Sequence, residues 1–466
     1  PRKTSRDGDD LMLDDPHVGE RDTRTEDRQQ LLDALMAATD RLIVTYTGND
    51  ERTNLPRPPA VPVGELLDVV DRTGAPREQV VVRHPLQPFD ERNFASGALV
   101  HDHVWSFDRV TLRGALALGG DRVAPGPFLT GPLAPLDATL IELDDLVRFV
   151  ERPVRAFLRR RLGLTAGAYS DELQDALSVE LDSLGTWQVG DRLLQARLAG
   201  AESRAAALAE IRRGTLPPGV LGEPVIQEVV PIVEEIVAEL PAGDTGSLDV
   251  KVALRDTQPT SSAGTGGRTL SGTVPGVCGD LLRTVTYARV NARHRLAAWV
   301  RLLALCAAHP ERPFEALTIG RVATGADGRV TVARIPPLDA DPAARAALAL
   351  DHLGVLVDLY DRGMREPPPL ASLASAAYAD AARAGRDPAA AARGAWESAY
   401  TFDREDSEPE HVLVLGGVRT FEELLSEPAR SDERGEWWDR DETRRFGRWS
   451  RRLWDGLLQS EDVVHR

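Results

Sequence analysis

Between Ser247 and Val290 the apolar residues recur with a period of two, and that stretch constrains the fold more than any other. Ser247 to Leu254, Thr269 to Val277 and Leu281 to Val290 each alternate, and only Cys278-Gly279-Asp280 separates the last two. Alternation around a tight second turn predicts a three-strand meander. An apolar helix is predicted next, over Leu296 to Ala307. Short strands near Ala316 to Ile319 and Val330 to Ile335 follow, and helix returns from Ala343 to Arg362. The fold class read from this is α/β, of mixed α+β type.

Upstream the period is helical. Leu146, Phe149 and Val150 line up with Val154, Phe157 and Leu158 on one face of a helix predicted from Leu143 to Leu162. Arg159, Arg160 and Arg161 end it, where cations complement the helix dipole. Further helices are predicted over Ser170 to Asp182 and Ala201 to Arg213. Nearer the start, Leu31, Leu32, Leu35 and Met36 have helical spacing behind Thr25 or Asp27 as caps. Arg41 to Thr47 then reads as a buried strand. A proline-rich bridge from Pro56 to Pro62 leads into a short helix around Gly64 to Val70, and Thr73 to Pro76 reads as a domain boundary. The last 30 residues hold four of the eight tryptophans, Trp437, Trp438, Trp449 and Trp454; Phe446, Trp449, Leu453 and Leu457 share one helical stripe. That much aromatic surface is predicted to dock on its own domain.

Composition removes several classes. The 56 Lys and Arg against 73 Asp and Glu leave a net charge of −17. That is the wrong sign for a free-standing, nonspecific nucleic-acid binder, but it leaves room for a local basic channel. No apolar run approaches the roughly 18 residues of a membrane helix. Cys278 and Cys306 lie in unrelated contexts without a CxxC pattern, which indicates neither a zinc site nor a disulfide framework and fits a reducing cytoplasm. Ser261 to Gly267 is a flexible loop but not a phosphate loop, because GxxxxGK[ST] is absent. Pro1 to Arg24 reads as polar loop without an initiator Met, as expected of a segment that begins inside a larger protein.

Several segments carry a resemblance in combination. They are Glu26-Asp27-Arg28 with the helix and strand after it, Pro56-Arg57-Pro58-Pro59, and His84-Pro85-Leu86-Gln87-Pro88-Phe89. Arg213-Gly214-Thr215-Leu216-Pro217, Arg293-His294-Arg295-Leu296, and Arg365-Glu366-Pro367 with Ser375 to Tyr378 complete the set. In this order they resemble the C-terminal part of the RecC family, the gamma subunits of bacterial exodeoxyribonuclease V. The resemblance implies that residues 1–75 are the end of a RecA-like, superfamily 1 helicase-like domain. It implies that residues 76–466 form a degenerate PD-(D/E)xK nuclease-like domain on a mixed sheet flanked by helices. It also implies a cytoplasmic, non-membrane subunit of a heterotrimer with RecB-like and RecD-like partners, processing DNA breaks for recombination. ATP and Mg²⁺ would be bound by the partners, and no cofactor by this chain.

The chemistry of both machines looks lost. Active superfamily 1 helicases resemble VALTRA before the strand, with an arginine on the ATP γ-phosphate that is worth roughly 10³–10⁵ in rate. Here the stretch is Ala34 to Thr39, and Ala37 stands in the arginine's place. PD-(D/E)xK nucleases hold Mg²⁺ between carboxylates on adjacent strands beside a lysine, as hard, oxygen-seeking Mg²⁺ requires. Where the family pattern resembles G-x-x-D, this chain has Gly272 to Pro275, with Pro275 for the aspartate. Where it resembles D-Y-K, this chain has Arg283 to Arg289, with Thr284 and Thr286 but neither carboxylate nor lysine. The upstream metal-binding histidine of RecB-type relatives also has no counterpart, since no histidine lies between His103 and His294.

Other candidates read as structural. Asp280 suits its hairpin turn. His101 and His103 lack further ligands at metal spacing and read as polar loop, and no G-x-S-x-G elbow supports a nucleophilic serine. Phe89 is expected to anchor its proline-fixed loop in the core. What remains is a basic cluster of Arg283, Arg289, Arg293, His294, Arg295 and Arg301, as candidate contacts to single-stranded DNA phosphates. The competing reading pairs these residues with the chain's many acids. A metal-dependent nuclease using ligands elsewhere, and an assembly module without DNA contact, are the alternative functions.

Overall fold

Strand and helix propensity become structure only where long-range partners exist, and the two parts of this chain differ sharply in that respect. The computed structural model describes residues 18–19, 23–50, 53, 55–74, 76–121, 126–136, 138–167, 180–254, 268–323, 327–399, 403–435 and 438–466. The helix predicted over Ser170 to Asp182 therefore falls almost wholly outside the described residues, as do Trp437 and the loop Ser261 to Gly267. Two compact units result, Pro1–Val123 and Ala124–Arg466. Across position 75, Arg77 is tied back by ion pairs to Asp68 (2.8 Å) and Asp71 (2.6 Å).

The first unit contains α1 (Thr23–Ala37), α2 (Val61–Arg72), α3 (Arg77–Val80) and α4 (Arg109–Gly119). α1 and α2 fall where helical spacing places them, whereas α3 and α4 were not predicted. The strand expected at Arg41 to Thr47 does not form, and Leu42, Ile43, Val44 and Tyr46 are exposed. A strand needs a neighbour to satisfy its backbone, and no described strand runs beside this one. Phe89 likewise does not enter a core; its ring is partly exposed. The loop is organised by Asn93, the one buried side chain among the unit's described residues, whose amide donates to the carbonyls of Gln87 (3.2 Å) and Pro88 (3.1 Å). His101 and His103 lie in a short exposed turn, as expected of a polar loop.

The second unit begins with β1 (Leu140–Glu142), α5 (Leu143–Glu151) and α6 (Pro153–Ala156), the last running into a π-helical turn at Phe157–Arg161. The single helix expected from Leu143 to Leu162 is thus broken at Arg152, which has φ −148° and ψ 79°. The ring of Pro153 disfavours helical geometry in the residue before it, while proline itself is well placed as a first helical residue. The bend is sharp. Arg160 Nε lies 3.2 Å from Asp145 Oδ2, whereas a straight helix would separate those residues by about 22 Å. All six apolar residues of the predicted stripe are buried, but from two helices and not one.

Next come α7 (Ser183–Leu198), α8 (Ser203–Arg213), α9 (Glu223–Ala238), β2 (Gly246–Ala253), β3 (Thr269–Cys278), β4 (Leu281–Arg289) and α10 (Ala292–Ala308). The predicted meander is present: β2 pairs antiparallel with β3 from Thr269 to Val277, with a bulge at Gly276, and β3 turns tightly into β4. Pairing between β3 and β4 stops after Val277↔Leu282, however, and β1 takes up the start of β3 in parallel. The two strands fork at Gly276. Its φ is +80°, and a Cβ there would sit 2.5 Å from the Arg283 carbonyl, so only glycine fits. On its other edge β4 pairs in parallel with β5 (Glu315–Arg321) from Leu281 onward, and β6 (Val330–Ile335) adds antiparallel to β5.

The chain closes with α11 (Pro342–Gly363), α12 (Ser372–Arg383), α13 (Pro388–Trp396), α14 (Pro409–Leu415), α15 (Phe421–Leu425), α16 (Arg445–Ser460) and β7 (Asp462–His465), which joins the far edge of the sheet on β6. The result is a mixed seven-stranded sheet between two layers of helix. One face is covered by α5, α10, α11 and α16 through Leu270, Val274, Leu282, Leu296, Leu353 and Trp454. On the other, Tyr287 and Ile319 meet α7 and α9 through Val189, Leu193, Val229 and Val233. The α16 stripe of Phe446, Trp449, Leu453 and Leu457 is buried within this unit, as the sequence predicts, each side chain contributing about 1.5–3 kcal/mol relative to exposure. No described helix is long and apolar enough to cross a membrane.

Candidate nucleic-acid interface

At the fork the positions Pro275, Thr284 and Thr286, singled out in the sequence, separate. Successive strand residues point to opposite faces. Leu270 and Val274 of β3 face the α5 and α10 side, so Pro275 lies exposed on the reverse. On β4, Thr284 and Thr286 share the parity of Leu282 and face that helical side. The three positions do not converge on one face. Nearby carboxylates have other partners: Asp249 accepts a hydrogen bond from Thr273 Oγ1 (2.5 Å), and Asp280 pairs with Arg312 (2.8 Å) beside its turn. Among the described residues, no group of three or more His, Cys, Asp and Glu side chains is arranged to hold a metal ion. Ala37, in the first unit, is the exposed last residue of α1.

The six basic candidates are divided by the sheet. Arg283 is half-buried on the side of Val285 and Tyr287, and donates to the Pro241 carbonyl (3.3 Å). Arg289 is exposed at the end of β4. The other four ride on α10, against the opposite face. Asn291 caps that helix, accepting from Arg293 N at 3.0 Å, while His294 Nδ1 accepts from Asn291 N at 3.3 Å. That role needs an unprotonated Nδ1. It agrees with burial, helped by Arg293, holding the His294 pKa below its usual value. Arg293 pairs with Glu408 (2.9 Å), with Glu405 at 3.9 Å. Arg295 pairs with Glu461 (2.6 Å), lies over the Trp454 ring, and has Asp380 at 3.6 Å. Arg301 is half-buried, leaves Nε without a partner, and acts on the Glu151 carboxyl.

The segments that carried the resemblance are largely fastenings. Ser375 Oγ receives the indole N–H of Trp454 (3.0 Å), Tyr378 donates to Glu442 (2.6 Å), and Glu366 holds Arg445 (2.8 Å), so they fix α16 to its domain. Arginines that the sequence reading assigned to capping, or passed over, form a different group. Arg148, Arg152, Arg155, Arg159 and Arg160 all line the inside of the α5–α6 bend. Their spacing of four, three and four residues was the available signal, since it keeps Arg148 to Arg159 on one helical stripe. Of the three terminal arginines, only Arg161 turns away, donating to the Ala134 carbonyl at 2.6 Å.

Comparison with known proteins follows from this architecture. A family model described as RecC C-terminal domain matches residues 138–383, which run from β1 to the end of α12. The chain is 42% identical over 472 residues to the RecBCD enzyme subunit RecC of Mycobacterium tuberculosis (strain ATCC 25618 / H37Rv), covering all of this chain and 40% of that relative. It is 41% identical over 465 residues to the same-named subunit of Mycolicibacterium smegmatis, covering all of this chain and 41% of the relative. Against the Escherichia coli (strain K12) subunit, identity is 26% over 389 residues, covering 79% of this chain and 31% of the relative. The chain therefore spans about 40% of the length of the mycobacterial relatives it matches. On the family match and on identity across its whole length, the chain belongs to the RecC family.

Proposed function

We propose that this chain is the C-terminal portion of a non-catalytic subunit in a RecBCD-type helicase–nuclease, acting in double-strand break repair and recombination. In this reading it scaffolds RecB-like and RecD-like partners and guides or splits DNA strands, while ATP and Mg²⁺ are handled by those partners. The first residues are the end of an inactive helicase-like domain, and the α/β unit is a nuclease-like domain emptied of its chemistry. The observation that carries the reading is the pair of forked strands, where Pro275, Thr284 and Thr286 stand in place of carboxylates and lysine. Alanine at position 37 supports the same conclusion for ATP hydrolysis.

Arg283 and Arg289, outside the ion-pair network, are the basic candidates best placed to meet DNA. Arg293, His294 and Arg295 are used internally, and Arg301 is half-buried behind Glu151. Two free cysteines are in keeping with the cytoplasm, where DNA is processed.

The test is Mg²⁺-dependent cleavage of end-labelled single- and double-stranded DNA by the purified chain, with a metal-free control. No cleavage by folded protein is expected. Metal-dependent cleavage that tracks the protein through purification would overturn the reading and make its unassigned acids the next targets.

A further inference from the structure

The bend between α5 and α6 encloses a cleft of about 590 Å³ that the nuclease-like reading does not use. Five arginines line it, Arg148, Arg152, Arg155, Arg159 and Arg160, against two carboxylates, Asp145 and Glu151. The lining itself carries a charge of +3 (five minus two), and Asp144, Glu408 and Glu410 stand behind it within 4.0 Å of its arginines. Tyr360 of α11 and Met364, just after that helix, supply an apolar floor.

Three of these arginines lack a close counter-charge. Arg148 stands 3.5 Å from Asp145 and 4.0 Å from Asp144, and Arg152 is 3.6 Å from Glu410 and 3.7 Å from Glu408. Arg159 is exposed and has no ion-pair partner among the described residues. Close charge-assisted pairs run about 2.7–2.9 Å, so donors remain free on this stripe. Burial, with repulsion from Arg293 and Arg155 that Glu408 and Glu410 only partly offset, pushes the Arg152 pKa below its ordinary value.

We propose that this elbow binds the phosphodiester backbone of single-stranded DNA. Guanidinium forks on successive turns present paired donors to phosphate oxygens, and the apolar floor accepts a sugar or base face. The apolar floor argues for one strand, because a base face is free to stack on it only when the base is unpaired. The π-helical turn at Phe157–Arg161 widens the coil so that Arg160 reaches the cleft beside Arg159, and such turns recur at functional sites.

The inference rests on the proposed DNA-processing role, and the test separates the two. Binding of a fluorescent oligothymidine to the full chain is measured as a function of salt for wild type, Arg148→Gln/Arg159→Gln and Arg329→Gln/Arg334→Gln. The last variant removes equal charge from exposed arginines paired elsewhere, to Glu235 and Glu315. The elbow variant should bind at least tenfold more weakly at low salt, and its log Kd against log salt slope should fall by about 1.4, since each single-strand phosphate contact contributes about 0.7. The control variant should stay within twofold of wild type. Equal effects of the two variants, with wild type still binding, would overturn the elbow assignment alone. Absence of binding by wild type would overturn the DNA-contact reading along with it. An equal loss with a duplex of the same length would overturn the single-strand assignment, and an equal loss with oligouridine the restriction to DNA. The substituted side chains are exposed, but if the double variant loses its tryptophan fluorescence signature, Arg159→Gln, whose side chain has no pair to break, is read instead for a slope change of about 0.7.

Discussion

Glu433 is the most informative place to perturb the fold, because one buried carboxylate there ties the aromatic tail to the domain. Its Oε1 accepts from Arg445 Nε (2.7 Å) and from the Trp449 indole N–H (2.7 Å), and its Oε2 accepts from the backbone N–H of Arg430 (3.0 Å). Glu433, Arg445 and Trp449 are all buried. Replacing Glu433 with alanine leaves an indole N–H and a backbone N–H unpaired, and strips a buried guanidinium of one partner. Breaking such a pair destabilises by about 3–5 kcal/mol. Arg445 keeps Glu427 (2.9 Å) and Glu366 (2.8 Å), which argues for the lower half of that range. Glu433→Gln keeps the shape and one acceptor, and should lose about 1.5–3 kcal/mol, the worth of hydrogen bonds to a charged group. The assay is urea unfolding followed by tryptophan fluorescence. With an m-value of about 3 kcal/mol/M, the midpoint should fall by roughly 1–1.5 M for alanine and about half that for glutamine. A shift under about 0.3 M for Glu433→Ala would mean that the network is worth no more than a surface ion pair, and would refute the reasoning.

Three further expectations follow. Gly190 of α7 lies so close to β4 that a Cβ would sit 2.0 Å from the Tyr287 ring, so Gly190→Ala should lower the melting temperature by the equivalent of about 1–3 kcal/mol, and Tyr287→Ala should relieve part of it. Stabilisation instead, which alanine's helix propensity alone would give, would show that the contact is looser than described. Burial pushes the Glu405 carboxyl from 4.5 up to about 7, against the hydrogen bonds it accepts from Leu373 N and Ala374 N. A raised folded pKa means that its stabilising contribution is complete below pH 4.5 and is lost as pH rises through 7. The stability of wild type relative to Glu405→Gln should then fall by about 3 kcal/mol between pH 4.5 and 8, and a pH-independent difference would refute the burial argument. Finally, burial pushes the Cys306 thiol up to about 12, while Cys278 is only partly covered; a labelled thiol reagent at pH 8 should modify Cys278 in folded protein and Cys306 only after unfolding. Mass spectrometry locating label on native Cys306 would contradict this.

What was legible in the sequence was local. The alternating runs became β2, β3 and β4 nearly to the residue, the apolar run after them became α10, and the aromatic stripe of α16 went inside. Each follows from a period that neighbouring residues alone impose. The substitutions at Ala37, Pro275, Thr284 and Thr286 were equally plain, since they ask only which functional group is present. Partnership was not legible. Nothing near Arg41 to Thr47 announces that no described strand will lie beside it, and nothing in β3 or β4 announces that their mutual pairing will stop two residue pairs from the turn while β5 takes the other edge of β4. The helices α7 and α9 went unread, although they cover a whole face of the sheet. The basic cluster looked continuous because its members are close in sequence. Glu408 and Glu461, 115 and 166 residues further on, claim Arg293 and Arg295. The break at Pro153 instead folds the stripe from Arg148 to Arg159 round one cleft and brings Arg160 into it. Side-chain periodicity is a property of the chain's own coil, whereas pairing, charge neutralisation and exposure depend on which distant segment arrives, and that is settled only when the core closes.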